Sequence, residues 1–460
     1  MSMDARGIEL SGATQEQALV FDKVTSDYLD YRTTAFPNLK RLCEEAPNFA
    51  MAHLLKGFLL MSLGSQNTLP GVRACADQVR SLGVINTRET GHLAALDAWI
   101  LADIRLACQH WDIVLKSEPL DILALKLQHF SLFWQGQSAH MRDAAVRVLP
   151  AWNDTIPGFA QVLGMYAFAL EEVGNYTKAE KIGRDAVERH PDDLWAIHAV
   201  SHVYEMRGDL REGIAWLNQP LNTWADRNPF KDHLWWHTAL FALEKGEFSR
   251  VLQLYDDAVW PDNSTFYLDI QNAASLLARL EFFGVNVGAR WEALATVSVG
   301  RNGDHALLFT EPHYAMAFGS TGRIAEIDKQ IKSLDLFSKT TAPSNARVVE
   351  QIAAPICGAI REFYRGDFNA VVDILMPIRQ GYQPIGGSHA QRDVFNVYLI
   401  DAAINSNQLD LAKSLLAERV SIYINSYGSW QKYAKVCDLL NDIQMAKHAR
   451  NEVVRIATDA

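Results

Sequence analysis

The sequence is poor in cysteine and contains no long apolar run. Its 460 residues include 5 cysteines, and none belongs to a Cys-x-x-Cys pair. This pattern argues against a disulfide framework or a zinc finger and predicts reduced thiols packed in the core of a cytoplasmic protein. The apolar run Phe58-Leu-Leu-Met-Ser-Leu is far shorter than the roughly 18 residues of a membrane-spanning helix. The N-terminus also lacks the pattern of a signal peptide, so we expect no membrane association.

Positive charge is scarce as well. Lysine and arginine together number 43 against 54 acidic residues, which gives a net charge of −11, and no basic run occurs. Nucleic acid and anionic membranes attract clustered positive charge, so we predict that neither is a partner. The expected partner is a small-molecule ligand or another protein. An acidic surface is compatible with either a monomer or a homodimer.

Several catalytic and β-structure motifs are missing. There is no Gly-x-x-x-x-Gly-Lys-[Ser/Thr] loop and no Gly-x-Ser-x-Gly turn, which argues against a P-loop protein and an α/β-hydrolase. Asn302-Gly303 is not flanked by alternating apolar residues, so few strands are expected. Two acidic pairs, Glu171-Glu172 and Asp192-Asp193, adjoin predicted turns, where solvated carboxylates are normal.

The sequence does contain a repeat of helical hairpins. Between Leu163 and Pro191, small residues, an aromatic residue and a closing proline stand at the spacings of a helix-turn-helix unit. Gly174 occupies the predicted turn, because glycine accepts the left-handed conformation that ends many helices. Pro191 follows the second helix, which a proline cannot continue. This segment resembles the tetratricopeptide repeat.

Turn glycines recur along the chain at a nearly constant interval. They are Gly136, Gly174, Gly208, Gly246 and Gly284. Their separations are 38, 34, 38 and 38 residues. Similar turns are predicted at Gly64, Ala102, Gly366 and Asn407, whereas Gly319 and Gly322 compete for one turn. A fixed period of this length is typical of stacked helical hairpins.

We therefore predict an all-α, strongly curved solenoid of roughly eight or nine tetratricopeptide-like hairpins. It would form one domain over residues 1–460, with the best-defined repeats at 88–284 and further repeats with a capping helix at 340–460. Thr14 and Gln17 have the spacing of a capping box at a helix start. The apolar residues near 453–456 indicate the capping helix.

Histidines are concentrated in one part of this array. Two segments, His198 to His202 and His233 to His237, each carry a His-x-x-x-His pair. Residues four apart lie on the same face of a helix, so each pair can direct two imidazoles at one point. Glu205 follows the first pair by three residues.

The family pattern of tetratricopeptide repeats indicates which positions line the inner surface. Trp195, His198, His202 and Glu205 precede the turn glycine Gly208 by 13, 10, 6 and 3 residues, the spacings at which these repeats face inward. We expect these four side chains on the concave side of the solenoid.

The next repeats extend this face. His233 and Trp236 have the corresponding spacing before Gly246, and His237 is offset toward the flank of its helix. His313 follows Glu311-Pro312 and opens another inner helix. Many such repeats carry lysine, arginine or asparagine here to bind a peptide carboxylate. Histidine and tryptophan instead favour a small-molecule pocket or a metal.

Three interpretations of the histidines are open. In the first, His198, His202 and His233 bind a divalent metal such as Zn²⁺ or Fe²⁺, and Glu205 is a ligand, an orienting group or a general base. In the second, the same residues with Trp195, Trp236, His237 and His313 line a polar pocket without metal. In the third, each histidine satisfies a local hydrogen bond or stacks on an aromatic ring.

A glycine-rich segment near residue 386 is unusual for a solenoid. Gly386-Gly387 allows a sharp bend, and Ser388 is a suitable N-cap for the helix that follows. On that helix His389, Arg392 and Asp393 share a face. Arg392 and Asp393 are candidate ligand-binding residues, and His389 is a candidate proton carrier. The alternative is an ordinary helix start in which Arg392 pairs with Asp393.

Two segments resemble a known family. His-Ala-Val-Ser-His-Val-Tyr-Glu-Met at 198–206 and Gly-Gly-Ser-His-Ala-Gln-Arg-Asp-Val-Phe at 386–395, with the repeat layout, are similar to the tetratricopeptide repeat protein 38 family. The resemblance covers nearly the whole chain. It implies an all-α repeat fold and a soluble intracellular protein, and it implies no settled activity.

Two functions follow from these observations. The first is a helical-repeat protein with a histidine-rich concave pocket for a small molecule, with a metal and hydrolase- or lyase-type chemistry in which Glu205 or His389 moves protons. The second is a protein-interaction scaffold without catalysis, which is the function of most helical-repeat proteins.

Overall fold

The computed structural model describes residues 2–458, and nearly all of them that belong to regular structure are helical. The strands in this range are β1 (Ser2–Met3) and β2 (Glu9–Leu10), which pair antiparallel. The all-α prediction is therefore confirmed. Within the same range, no helix is long and apolar enough to cross a membrane.

The helices follow one another with short connections. Their bounds are α1 (Gln15–Leu29), α2 (Ala35–Glu45), α3 (Ala50–Met61), α4 (Leu69–Ser81), α5 (Thr87–Ile100), α6 (Ile104–Ser117), α7 (Ile122–Phe133), α8 (Ser138–Val148), α9 (Phe159–Glu172), α10 (Tyr176–Arg189), α11 (Leu194–Arg207), α12 (Leu210–Trp216), α13 (Phe230–Glu244), α14 (Phe248–Leu254), α15 (Tyr267–Phe282), α16 (Arg290–Val299), α17 (Glu311–Ser320), α18 (Ile324–Ser338), α19 (Pro343–Val348), α20 (Ala354–Arg365), α21 (Phe368–Ile378), α22 (His389–Asn405), α23 (Leu409–Ile422), α24 (Tyr427–Leu439) and α25 (Ile443–Thr458). Two π-helical segments, Tyr255–Val259 and Val349–Ala353, extend α14 and join α19 to α20.

Consecutive helices pack as hairpins, and the hairpins stack. When α19 and α20 are taken as one helix, the helices within residues 2–458 form twelve successive pairs, from α1 with α2 to α24 with α25. The sequence-based count of eight or nine is too low. It missed the α1–α2 turn at Tyr31 (φ 59°) and the α24–α25 turn at Asn441 (φ 57°), where no glycine stands. The predicted α5–α6 turn at Ala102 (φ 58°) is confirmed.

The glycine turns predicted from the sequence are confirmed. The five regularly spaced glycines all have a left-handed backbone, with φ between 64° at Gly136 and 81° at Gly284. Gly64, Gly366 and Asn407 share this conformation. Gly322 (φ 70°) ends the turn after α17, whereas Gly319 lies inside that helix. A side chain is strained at such angles, which explains why glycine marks these turns.

Helix starts and core residues also follow the sequence. Thr14 and Ser388 both form capping boxes with the residue three positions on. α10 ends at Arg189, before Pro191, and the predicted terminal helix is α25. The five cysteines are free thiols, and all are buried. These features stabilise individual elements and leave their relative orientation to packing.

The stack curls until distant hairpins touch. The inner helix α22 packs against α11 and α15. Tyr31, just after α1, stacks on Phe230 at the start of α13 with ring centroids 4.3 Å apart. Asn345 donates to the backbone oxygen of Ala102 over 2.8 Å. The concave side is thus filled by the protein's own helices, and the inner faces of α9, α11, α13 and α15 are buried.

Candidate functional site

Two neighbouring inner helices, α11 and α13, carry the clustered histidines. α11 starts at the N-cap Asp193, whose carboxylate accepts from the backbone N–H groups of Trp195 and Ala196, and it ends at Gly208. α13 starts after Pro229 and ends before Gly246. Residues on every side of both helices are buried, because each helix lies between adjacent hairpins and α22 or α15.

Four imidazoles meet between these helices. One nitrogen from each of His198, His202, His233 and His237 lies within 4.8 Å of the other three. The Nε2 atoms of His198 and His202 are 2.9 Å apart. Ring centroids of His202 and His237 are 4.5 Å apart, and those of His198 and His233 are 4.9 Å apart. None of the four side chains is more than 3% exposed.

The structure brings together the three histidines that the sequence grouped and adds a fourth. His237 was expected at the flank of its helix, but its ring lies in the cluster. That expectation is wrong because α11 and α13 are close enough for both residues of each pair to interleave. The repeat pattern could not place it there, because His237 precedes Gly246 by 9 residues and the inner positions precede a turn glycine by 13, 10, 6 and 3.

Two members of the cluster are held by polar neighbours. The Nδ1 of His233 is 2.9 Å from the Asn272 amide oxygen on α15, and the Nδ1 of His237 is 2.7 Å from a Glu205 carboxylate oxygen. A proton on each Nδ1 satisfies these contacts and leaves Nε2 with a free lone pair. The Nε2 of His237 is buried and has no hydrogen-bond partner within residues 2–458.

Burial keeps the four imidazoles neutral. Burial and then the neighbouring histidines lower the pKa of His198 and His202 well below 6.5, and burial and His237 do the same for His233. Burial alone lowers the pKa of His237 to about 3. A neutral imidazole is the form that binds metal, so no proton must be displaced from the ligand atom.

Glu205 is buried beside the cluster. Burial raises the pKa of Glu205 to about 8, although the Arg279 guanidinium opposes this rise. Its contact with His237 Nδ1 is the carboxylate–histidine arrangement that orients metal ligands in many proteins. Of the three roles that the sequence left open for Glu205, the geometry favours that of an orienting group.

Aromatic rings enclose the cluster. Trp236 stacks on His233 with centroids 5.1 Å apart and an angle of 13° between planes, and its indole N–H donates to Ser275. Phe168 stacks on His198 at 5.2 Å, and the Trp195 ring lies 5.0 Å from the same imidazole. The indole N–H of Trp195 donates to His129 Nε2. These rings exclude water from one side of the histidines.

A second group of polar side chains adjoins the first. Glu171, Glu172 and His202 each offer one atom within 4.8 Å of the others. The expectation that Glu171 and Glu172 are solvated is wrong, since they are 0% and 4% exposed. They belong to the last turn of the inner helix α9, which the curled chain covers. Asp193 is likewise buried, whereas the Asp192 side chain is 55% exposed.

The remaining predicted residues lie outside the four-histidine cluster. His389, at the start of α22, is 3.3 Å through Nε2 from the Glu172 backbone oxygen, and its side chain is 40% exposed. Arg392 donates to the Gly387 backbone oxygen, and Asp393 pairs with Arg419, so these two neighbours do not pair with each other.

His313 is separate again. Its Nδ1 is 2.9 Å from the backbone oxygen of Phe309, one turn earlier, and burial lowers its pKa to about 3. This is the kind of local hydrogen bond that the third interpretation predicts for a structural histidine. The glycine-rich segment itself packs inside the molecule: Gly387 (φ 73°) lies against the Phe309 ring, and Gly386 (φ 92°) against the Trp134 backbone.

Sequence reasoning missed Asn272, Glu171 and Glu172. Asn272 lies on α15, 39 residues after His233, which is one repeat length. The repeat interval could have pointed to it, since the same inner position of consecutive hairpins is adjacent in space. For Glu171 and Glu172, the only sequence feature that could have indicated burial is their position in the last turn of an inner helix.

A scan against protein-family models gives no match for this chain. Solved structures with similar folds include the human IFIT1 dimer with PPP-AAAA, with 14% identity over 98% of this chain and 96% of the other and a TM-score of 0.42. The APC/C hetero-tetramer Cut9-Hcn1 matches with 12% identity over 97% and 88% of the two chains and a TM-score of 0.37. The stack of helical hairpins itself gives the chain a tetratricopeptide-like helical-repeat fold.

Proposed function

We propose that the protein is a tetratricopeptide-like solenoid that binds one divalent transition-metal ion, Zn²⁺ or Fe²⁺, through His198, His202, His233 and His237. The observation that carries this proposal is the convergence of four buried imidazole nitrogens within 4.8 Å. Imidazole is a preferred ligand of Zn²⁺, Fe²⁺, Ni²⁺ and Cu²⁺, so the metal's identity depends on availability as well as geometry.

The dimensions of the cluster support this proposal. A tetrahedral ion with metal–nitrogen bonds of about 2.0–2.1 Å holds its ligand atoms roughly 3.4 Å apart. The four nitrogens need only small side-chain rotations from their present spacing to reach that value. His198 and His202 already approach at 2.9 Å, and a metal would replace this hydrogen bond between two imidazoles.

The surroundings of the cluster support it further. Asn272 and Glu205 fix the ring orientations of His233 and His237, as outer groups do around bound metals. His313 satisfies its Nδ1 locally, on the backbone oxygen of Phe309. The unpartnered Nε2 of His237 instead faces three other imidazoles.

We infer that any reaction at this site acts on a small polar molecule. A tetrahedral ion with four histidine ligands has no open position, so it would polarise a carbonyl or activate water only by taking a fifth ligand. Such polarisation is the chemistry of metal-dependent hydrolases and lyases. Glu205 would position His237. His389, partly exposed and beside Glu172, would exchange protons with solvent, and a substrate would approach from its side. Trp195 and Trp236 would form the walls.

We further propose that residues 1–460 form one domain of the tetratricopeptide repeat protein 38 family and that the protein is cytoplasmic. The segments at 198–206 and 386–395 support the family membership. His202 from the first segment and His389 from the second both approach Glu171-Glu172, so the family-like segments meet at one place. The net charge of −11 disfavours nucleic acid as the partner.

Metal analysis tests the proposed metal site. Protein purified without a histidine tag should contain close to one ion at the four-histidine cluster, measured by inductively coupled plasma mass spectrometry. His198→Ala and His237→Ala should lower its occupancy at least tenfold at equal free metal, because a tetrahedral site loses a ligand in each.

His92→Gln is the matched control for these variants. His92 is also buried, but it pairs with Asp121 on another hairpin at 2.7 Å. Its replacement should leave the metal content unchanged. Metal-free wild-type protein that does not take up Zn²⁺ or Fe²⁺ would contradict the proposal, as would full occupancy in both cluster variants.

A second candidate function is an interaction scaffold. The observation that favours it is the presence of exposed apolar side chains on the last three helices: Ile422, Leu439, Ile443 and Val454. Such side chains mark contact surfaces when they are contiguous. This candidate predicts self-association or partner binding that Ile443→Glu weakens in sedimentation experiments and that metal chelators do not alter.

A further inference from the structure

Two buried carboxylates lie beside the four-histidine cluster with almost no hydrogen bonds. Neither Glu171 oxygen has a hydrogen-bond partner within residues 2–458, and Glu172 Oε1 also has none. Glu172 Oε2 accepts from the Ser138 hydroxyl over 3.3 Å. Buried polar atoms are normally satisfied, so three unsatisfied oxygens in one place need an explanation.

His202 connects these carboxylates to the histidine cluster. Its Nε2 faces the Nε2 of His198 at 2.9 Å, and its Nδ1, on the opposite side of the ring, is 3.8 Å from Glu171 Oε2. This Nδ1 atom is buried and without a hydrogen bond, and the residue is 0% exposed. One imidazole therefore directs its two nitrogens at two different groups of candidate ligands.

We propose that Glu171, Glu172 and the Nδ1 atom of His202 form a second divalent-cation site, which the His202 imidazole joins to the first. This inference rests on the proposed metal site at the four histidines. Two carboxylates with one imidazole form an oxygen-rich ligand set suited to Zn²⁺, Fe²⁺ or Mn²⁺. The two ions would be about 6 Å apart, given metal–nitrogen bonds of about 2 Å on each side of the ring.

The distances and charges favour a cation here. Ligand atoms on one ion lie roughly 3.3 Å apart, so the 3.8 Å between Glu171 and His202 requires only a small side-chain movement. Arg392 is a positive charge close enough to act on both glutamates, but its guanidinium gives neither of them a hydrogen bond, since its donors face the Gly387 backbone oxygen and His389. A cation between the carboxylates would cancel their mutual repulsion and satisfy their free oxygens.

An ion also has an approach to this site. His389 Nε2 is 4.0 Å from Glu172 Oε2, and its side chain is partly exposed to solvent. The second site thus lies between His389 and the buried histidines. When ions bind at both nitrogens, His202 gives up its ring proton to solvent, and the imidazolate balances part of the added positive charge.

Metal stoichiometry with matched variants tests this inference. Wild-type protein dialysed against excess Zn²⁺ and then against buffer should retain two ions per chain. Glu171→Gln, which keeps the side-chain shape, should retain one. Glu244→Gln is the control, since Glu244 is also buried, on α13, and belongs to neither group. It should retain two ions, and circular dichroism should show equal folding for all three proteins.

Copper provides a second readout. With Cu²⁺ in both sites, exchange coupling through the imidazolate should reduce the electron paramagnetic resonance intensity well below that expected from the copper content. Glu171→Gln should restore the full intensity of one isolated ion. An uncoupled signal from two bound ions would overturn the bridge.

The outcomes separate the two proposals. One ion in both the wild type and Glu171→Gln, lost in His237→Ala, would overturn the second site and leave the four-histidine site intact. Loss of all metal in Glu171→Gln would also overturn a separate second site, because the carboxylates would then belong to a single centre. Wild-type protein that retains no metal would overturn both.

Discussion

At the scale of the residue, the site is defined by which ring nitrogen of each histidine is hydrogen-bonded to a neighbouring side chain. Glu205 and Asn272 occupy the Nδ1 atoms of His237 and His233, and this leaves the Nε2 atoms for the interior. Each contact is one hydrogen bond, but it selects a tautomer and a ring orientation. The affinity of the cluster for metal therefore depends on side chains that would not touch the ion.

Glu205→Gln tests this dependence. The neutral amide still accepts a hydrogen bond from His237, but it lacks the negative charge that Glu205 carries above its raised pKa of about 8, so the two proteins are compared at pH 9. We expect the affinity for Zn²⁺ to fall by about 10–100-fold, measured by competition with a chromogenic chelator. Asp393→Asn is the comparison, because Asp393 lies near the same arginine, Arg279, but pairs with Arg419. Equal affinity in the wild type and Glu205→Gln would show that this contact does not tune the histidine.

The sequence predicted part of this site. His198, His202 and His233 could be grouped because the distance to the turn glycine fixes their position around each helix. His237 could not, since its inclusion depends on how closely α11 and α13 approach. Glu171 and Glu172 could not either, because a carboxylate beside a turn is exposed or buried according to which distant segment packs there, and here that segment includes His389.

At the scale of the element, the turns were the predictable part. The local backbone decides whether a residue must adopt a left-handed conformation, and glycine does so without strain. The number of hairpins was underestimated because Tyr31 and Asn441 adopt the same conformation without being glycine. Packing of the flanking helices imposes it on these residues.

Two turn glycines should differ in their tolerance of a side chain. Gly136 (φ 64°) and Gly284 (φ 81°) share the left-handed conformation. Around Gly284 an added Cβ meets nothing within 4 Å, whereas at Gly136 it would overlap the backbone carbonyl of Gln383. Gly284→Ala should cost about 1 kcal/mol of unfolding free energy, and Gly136→Ala about 2–4 kcal/mol.

Chemical denaturation followed by circular dichroism measures both changes. The difference between the variants isolates the contact of the α7–α8 turn with Gln383, since the conformational strain is common to both. Equal destabilisation would mean that the segment around Gln383 shifts freely to make room. In that case the glycine-rich segment would not be held in place by α7.

At the scale of the whole molecule, the curl decides what is buried. A repeat interval predicts that hairpins stack, but the small rotation from one hairpin to the next accumulates over the array. Contacts between distant hairpins, such as Tyr31 on Phe230, depend on the total rotation over all the hairpins between them. No local sequence pattern determines this total rotation. For that reason the sequence predicted the solenoid and its inner face but not the filling of its concave side.

One such long-range contact should depend on pH. His190 Nε2 on one hairpin is 2.9 Å from Asp30 Oδ1 on the first hairpin. This hydrogen bond raises the pKa of His190 above 6.5. Burial alone would raise the pKa of Asp30, but the bond from His190 and the charges of His190 and Arg32 lower it below 3.8. The pair is therefore strongest when both groups are charged.

The sign of the pH dependence follows. The contribution of His190 is complete below pH 6.5 and is lost as the pH rises through its raised pKa, and that of Asp30 is lost as the pH falls through its lowered pKa. The excess stability of the wild type over His190→Gln should be largest between about pH 4 and 6.5 and should shrink above that range. Thermal unfolding of both proteins from pH 4 to 9 measures this difference, and a constant difference would contradict the assignment.

The cover that α22 provides has a consequence for how the protein is made. Glu172 and His389 are 217 residues apart, which at about 5–20 residues per second is roughly 10–40 s of translation. The histidine-bearing helices leave the ribosome early in that interval, while the segment that closes over them does not yet exist. An ion can therefore reach the histidines of the nascent chain from open solvent, whereas in the finished chain it must pass His389 at the start of α22.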